Sequence, residues 1–193
     1  MRHALLGGSF DPFHNGHLWL VRAALDDAGC DRVWVVPAAR PPHKPDLALT
    51  PIEHRLAMCR AALAALEQVT VSDCEARREG PSFTIDTLEE LAAQVGPGHD
   101  WVLVMGADMA ADFPTWRDPD AIRARARLAV AARPAGRLPP SLGDADELAG
   151  TPPDVSATDI RRRVAAGEPI VDLVPPGIVA YIAAHGLYRS ETP

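Results

Sequence analysis

Lysine is almost missing from this chain. Of 19 basic residues only Lys44 is a lysine, and the rest are arginine. GC-rich coding accounts for that bias and for the abundant alanine and proline, but not for where the one lysine falls. Cysteine is scarce too: Cys30, Cys59 and Cys74 are odd in number and form no C-x-x-C pair. This excludes a disulfide framework and a cysteine zinc site, and leaves buried or idle thiols of a reducing compartment. No run of 18 apolar residues occurs, which excludes an apolar helical membrane span. MRHALLGGSF is broken by glycine too early to be a secretory signal. A cytoplasmic protein with no membrane partner is expected. Positive charge is in deficit, with a net charge of −7. That argues against a nucleic-acid partner, which needs a basic surface. It leaves room for a small anion in a local basic pocket. With 193 residues the chain suffices for one domain with a real core.

What is present is an alternation of short β-type runs and helical stripes. Ala4–Leu6, Arg32–Val36, Val69–Val71, Trp101–Met105 and Leu128–Ala132 read as strands. Leu18, Val21 and Leu25 mark a helix that Gly29 can end. Ile52, Leu56, Cys59, Leu63 and Leu66 mark a second, with Thr50 as N-cap, Pro51 at the first helical position and Glu53 following. Ile85, Leu88, Leu91 and Val95 mark a third, closed by Gly96. Shorter helices are expected from Asp118-Pro119, from Ser156 to Gly167, and over Pro176–His185. Residues 134–153, rich in proline and glycine, read as a long surface loop with a little local order. The alternation predicts a single doubly wound α/β domain over 1–193 with a mostly parallel sheet. In such folds ligands bind beyond the carboxyl ends of the strands. The stretches 7–17, 41–44 and 106–108 all fall there.

Residues 7–20 read GGSFDPFHNGHLWL. Two glycines end a strand, and two histidines stand where a helix begins. The glycines permit a sharp turn and close approach of a ligand to the backbone. The helix start offers unpaired N–H groups and a positive dipole end. His14 and His17 beside it suit a phosphate or polyphosphate. No cysteine or carboxylate cluster completes a metal site around them, and GGSFDP is not the G-x-G-x-x-G of dinucleotide binders.

GGSFDPFHNGH resembles the G-[GS]-[ST]-F-D-P-x-H-x-G-H signature of the nucleotidylyltransferase superfamily. VSATDIR, from Val155 to Arg161, is similar to its second signature, I-S-[SA]-T-x-[IV]-R. PPHKP at 41–45, PSFTIDTL at 81–88, GADMAADFPTWRD at 106–118 and AARP at 131–134 narrow the resemblance to the bacterial nicotinate-nucleotide adenylyltransferases, over nearly the whole chain. The phosphopantetheine enzymes of the superfamily carry Thr where this chain has His14 and lack the FPTW segment. Class I tRNA synthetases need a longer chain and a KMSKS-type loop.

The resemblance implies a Rossmann-like nucleotidylyltransferase fold. It also implies transfer of AMP from ATP to nicotinate mononucleotide, with pyrophosphate released. Mg²⁺ would accompany the ATP, mostly water-coordinated, with no metal held by the protein itself. His14 and His17 would contact the ATP phosphates, His17 stabilising the transition state. Gly8, Ser9 and Phe10 would line the nucleotide with backbone groups, and Gly106 and Asp108 would hold its ribose. His43, Lys44, Ser156 and Arg161 would reach its phosphates, Arg161 being chosen over Arg162 and Arg163 because the motif does so. Trp116 would stack on the pyridine ring. Phe83 and Thr84 would offer backbone amides to the nicotinate carboxylate, and Arg133 a further acceptor contact. Other readings stay open at several positions. Asp11 is a ligand or a structural residue of the turn, Asp108 a ribose ligand or a helix cap, Trp116 a platform or core, and Lys44 a point charge or a solvated loop residue.

Overall fold

The expected alternation is realised as six strands and eight helices in a computed structural model that describes residues 1–42, 48–131, 138 and 142–189. In chain order they are β1 (Arg2–Gly8), α1 (Asn15–Asp26), β2 (Arg32–Pro37), α2 (Ile52–Leu63), β3 (Val69–Val71), α3 (Cys74–Arg77), α4 (Thr84–Val95) and β4 (Asp100–Gly106). There follow α5 (Ala107–Asp112), a 3-10 turn (Phe113–Thr115), α6 (Pro119–Arg125), β5 (Arg127–Ala131), β6 (Asp146–Glu147), α7 (Ala157–Ala165) and α8 (Pro176–His185). All pairings are parallel, in the order β3-β2-β1-β4-β5-β6. The strand order reverses between β1 and β4. A crevice at that reversal is where doubly wound sheets hold ligands.

Successive side chains of a strand point to opposite faces, and the core divides accordingly. Ala4, Leu6, Val102 and Val104 pack with Leu20, Val21, Met58 and Ile178 on one face. Leu5, Leu103 and Met105 pack with Leu88, Leu91 and Ile122 on the other. Residues of α1, α2 and α8 thus cover one side, and residues of α4 and α6 the other. Cys30, Cys59 and Cys74 are all buried free thiols, with burial pushing each above its ordinary pKa.

Several local expectations shift. Pro51, not Thr50, caps α2, because Thr50 is drawn out of that role. Its amide donates to Asp11 Oδ2 at 3.2 Å and its carbonyl accepts from Arg55 Nε at 2.8 Å. Leu66 lies past the end of α2 and packs against the core from the connection. Of the segment 134–153, the described part from 142 on is more than a surface loop: Leu142 and Leu148 are buried and Asp146–Glu147 adds a strand beside β5. The short elements α3, α5 and the 3-10 turn are too brief to leave a periodic trace.

Candidate active site

The glycines of the first turn have different jobs. A Cβ on Gly7 would meet nothing within 4 Å, so this position is open to a ligand. A Cβ on Gly8 would stand 3.0 Å from Phe10 Cζ. Phe10 turns the chain in the left-handed region, φ +48°, and drives its ring into the core. Its side chain is therefore packing, and only its backbone can serve a nucleotide.

His14 is the N-cap of α1, and its amide donates to His17 Nδ1 at 3.2 Å. His17 thus fills the place that Glu takes in a capping box. That bond makes Nδ1 the acceptor and leaves the proton on Nε2. The two imidazoles stack, with centroids 3.6 Å apart and planes 22° from parallel. The Phe10 ring meets His17 edge-on at 4.8 Å. A Cβ on Gly16 would crowd the His14 ring at 3.1 Å. Burial pushes His14 down to about 4, and burial together with the His14 ring pushes His17 well below its ordinary value. Both are thereby held neutral at pH 7, which leaves His17 an N–H donor to offer rather than a charge.

These depressed values make folding stability pH-dependent. The unfolded chain takes up protons near pH 6.5 that the native His14 refuses until about pH 4, so stability falls as pH drops through that window. The melting temperature is expected to decline between those limits, and less steeply in His14→Asn. Parallel slopes for the two proteins would contradict the assignment.

A cavity of about 230 Å³ opens at the carboxyl ends of β1, β2 and β4. It brings together Gly8, Ser9, Thr84, Asp108 and Trp116 from the sequence-predicted set. Trp116 is half-buried on the fully buried Phe113, ring centroids 5.4 Å apart, and borders the cavity. Asp108 lies in the first turn of α5, whose N-cap is Gly106. Thr84 begins α4, where helix geometry leaves amides without intrahelical partners. Phe83 is the cap of that helix, and its ring carries the Arg117 guanidinium at 4.7 Å; its amide, expected to serve a carboxylate, is instead spent on the Pro81 carbonyl at 3.2 Å, which closes the tight turn before α4. Phe10, His14, His17, Phe83, Gly106, Ser156 and Arg161 do not line this cavity. The histidines stand on the turn that continues from its wall at Ser9.

The second signature comes alongside that turn. Val155 Cγ1 would lie 3.2 Å from a Cβ on Gly16, so the start of α7 abuts the start of α1. Ser156 caps α7, its Oγ accepting from Asp159 N at 3.1 Å. Arg161 Nη1 donates to the Asp11 carbonyl at 2.7 Å. Arg162 and Arg163 are occupied elsewhere, on Asp159 and Glu168. Of the three arginines, Arg161 is the one that bonds to the first turn. Asp11 is structural: its carboxylate accepts from Tyr188 Oη at 2.6 Å and from the Thr50 amide at 3.2 Å.

Two buried polar residues escaped sequence reasoning. Arg55 is 2 % exposed within the helical stripe of α2. Its only trace in the sequence is a position between the apolar Ile52 and Leu56. Glu75 lies in the cavity wall on the short α3, accepting from Thr87 Oγ1 at 2.6 Å. Arg78 donates to the same Thr87 hydroxyl at 2.8 Å. Burial raises the Glu75 carboxyl above its usual range. Glu75→Ala is expected to destabilise the fold by about 1–3 kcal/mol, because the buried Thr87 hydroxyl loses its short acceptor and keeps, as donor, only the longer bond to the Phe83 carbonyl at 3.3 Å. Urea unfolding measures this, and a change near zero would mean that the chain of bonds is dispensable.

His43, Lys44 and Arg133 lie outside the described residues. Among the described residues no group of three or more His, Cys, Asp or Glu side chains converges as a metal cage. Among them, too, no helix is long and apolar enough to cross a membrane.

Known proteins resemble this one throughout. The cytidylyltransferase-like family matches residues 5–163. A Bordetella avium protein named "Probable nicotinate-nucleotide adenylyltransferase" is 42 % identical, covering 97 % of this chain and 98 % of its own. A Thermomicrobium roseum protein of the same name is 39 % identical, covering 98 % and 92 %. The fold matches that of Plasmodium falciparum nicotinic acid mononucleotide adenylyltransferase complexed with NaAD, with a TM-score of 0.79 at 19 % identity over 97 % of each chain. Paired histidines at the head of α1, a second signature beside them and full-length similarity place this chain in the nicotinate-nucleotide adenylyltransferase family, within the cytidylyltransferase-like proteins.

Proposed function

We propose that the protein moves AMP from Mg-ATP to nicotinate mononucleotide, forming nicotinate adenine dinucleotide and pyrophosphate in NAD biosynthesis. The observation that carries this reading is the turn after β1, at the reversal of strand order: its Ser9 lines a cavity bordered by Thr84, Asp108 and Trp116, and the same turn runs on into the stacked His14 and His17. The reaction belongs in the cytoplasm and to a single domain spanning 1–193, with no nucleic-acid partner.

The attacking group is a phosphate oxygen of the mononucleotide. With a second pKa near ~6 it is largely ionised at neutral pH and needs no general base. Catalysis then rests on alignment and on donors aimed at the α-phosphate. The neutral His17 supplies Nε2–H, with the amides and dipole of α1 behind it. His14, stacked on His17, makes a second phosphate contact, and Ser156 and Arg161 approach from α7. Gly8, Ser9 and the Phe10 backbone line the nucleotide, and Gly106 and Asp108 take its ribose. Trp116 stacks on the pyridine ring, and the Thr84 amide in the first turn of α4 takes its carboxylate. His43 and Lys44 join the phosphates, and Arg133 the acceptor. Mg²⁺ enters as part of the nucleotide substrate. The Asp11 carboxylate is already engaged on both oxygens and is no ligand for it.

Pyrophosphate release from Mg-ATP tests the reading, with nicotinate mononucleotide, nicotinamide mononucleotide or phosphopantetheine as acceptor. Release mainly with the first is expected, since nicotinamide offers no charge to the α4 amides. Comparable kcat/KM for the two pyridine nucleotides would remove the role of Thr84. ATP binding without release would leave a nucleotide-binding module.

A further inference from the structure

Arg55 carries a full charge yet is 2 % exposed. Its guanidinium makes its hydrogen bonds to three backbone carbonyls: Nε to Thr50, and Nη1 to Ser9 and to Ala38, each at 2.8 Å. They belong to two segments: Ser9 to the turn after β1, and Ala38 and Thr50 to the two ends of the connection from β2 to α2. Ser9 and Ala38 also line the cavity. Thr50 is gripped from both ends, its carbonyl by Arg55 and its amide by Asp11. Asp11 in turn accepts from Tyr188 on its side chain and from Arg161 on its carbonyl.

We propose that Arg55, with Asp11 and Tyr188, forms a positioning network for adenylyl transfer that sets the Ser9 and Ala38 walls of the cavity and the Arg161 guanidinium. The network rests on the reaction proposed above. Core stability alone does not account for it. A well-packed apolar side chain of similar volume often stabilises as much as a buried ionic group does. The bonds of Arg55 end instead on the backbone around the nucleotide site. A carbonyl held by the guanidinium is turned away from an anionic ligand. The charge itself sits behind the turn in a poorly screened interior, with the sign that favours phosphates.

Arg55→Lys keeps the charge and loses the fork; Tyr188→Phe removes one bond to Asp11 and leaves Arg55 intact. Neither residue is proposed to touch substrate. Per folded molecule, kcat of Arg55→Lys is expected to fall by ~10- to 100-fold, as misplacement of reacting groups does. KM for the mononucleotide is expected to change little. Tyr188→Phe shifts kcat in the same direction by less. A purely structural role lowers the melting temperature and leaves kcat and both KM values unchanged, and that result overturns the proposal. Should Arg55→Lys fail to fold, Tyr188→Phe decides by the same criterion. If wild type binds Mg-ATP but transfers to no mononucleotide, the acceptor reading fails on its own. The network is then read from the Kd for Mg-ATP, which both variants must weaken. Wild type that neither binds nor turns over Mg-ATP overturns both readings.

Discussion

His17→Ala is expected to lower kcat by about 10²-fold or more while the protein stays folded. The ring donates from Nε2 because Nδ1 is committed to the His14 amide. It is neutral, so what the variant loses is an aimed donor and not a counter-charge. Donors aimed at charge that develops in the transition state act on kcat more than on KM. The structural cost is one unpaired amide at a helix start, about 1 kcal/mol, which water can partly offset. The check is kcat with saturating Mg-ATP and nicotinate mononucleotide, beside a melting curve. A stable variant with near-normal turnover would end the catalytic role. A rise in KM for Mg-ATP at constant kcat would make His17 a binding contact only.

Trp116→Ala should separate the two substrates. Loss of an aromatic platform costs ~1–3 kcal/mol per stacked base, which is ~5- to 150-fold in affinity. The increase is expected in KM for the mononucleotide, with KM for Mg-ATP nearly unchanged. Trp116 borders the cavity, but it also rests on Phe113, which is buried beneath it. Equal effects on both substrates, with a lowered melting temperature, would mean that the ring only supports Phe113. Steady-state kinetics with each substrate varied in turn distinguishes these outcomes.

Most of the frame is legible in the amino-acid sequence. Buried parallel strands write themselves as apolar runs, and α1, α2 and α4 as stripes of apolar residues, because each buries one face against the sheet. The outer strand β6 is not legible there. Asp146–Glu147 is polar and exposed, and only its pairing with β5 makes it a strand. Within the site, His14, His17, Asp108 and Trp116 stand in motifs long enough to notice. Arg55 and Glu75 do not. A charged residue inside a helical stripe looks like a solvated one until its partners are known: for Arg55 these are the carbonyls of Ser9, Ala38 and Thr50, and for Glu75 the hydroxyl of Thr87 on another helix. The Thr50 cap fails for the same reason: local capping rules omit the competing bonds from Asp11 and Arg55.

The anchoring of Asp11 has a bearing on how the molecule is made. Its partner Tyr188 lies 177 residues further along, and Arg161 lies 150 residues further along. β1 carries the turn at its end, yet gains its neighbour β4 only once Asp100–Gly106 exists. Synthesis runs from the amino end, so the segment that would hold phosphates is translated first and secured last. A nascent chain halted short of Tyr188 would carry the His14–His17 turn without its far anchor. Nucleotide capture should therefore appear late in synthesis, after most of the sheet has assembled.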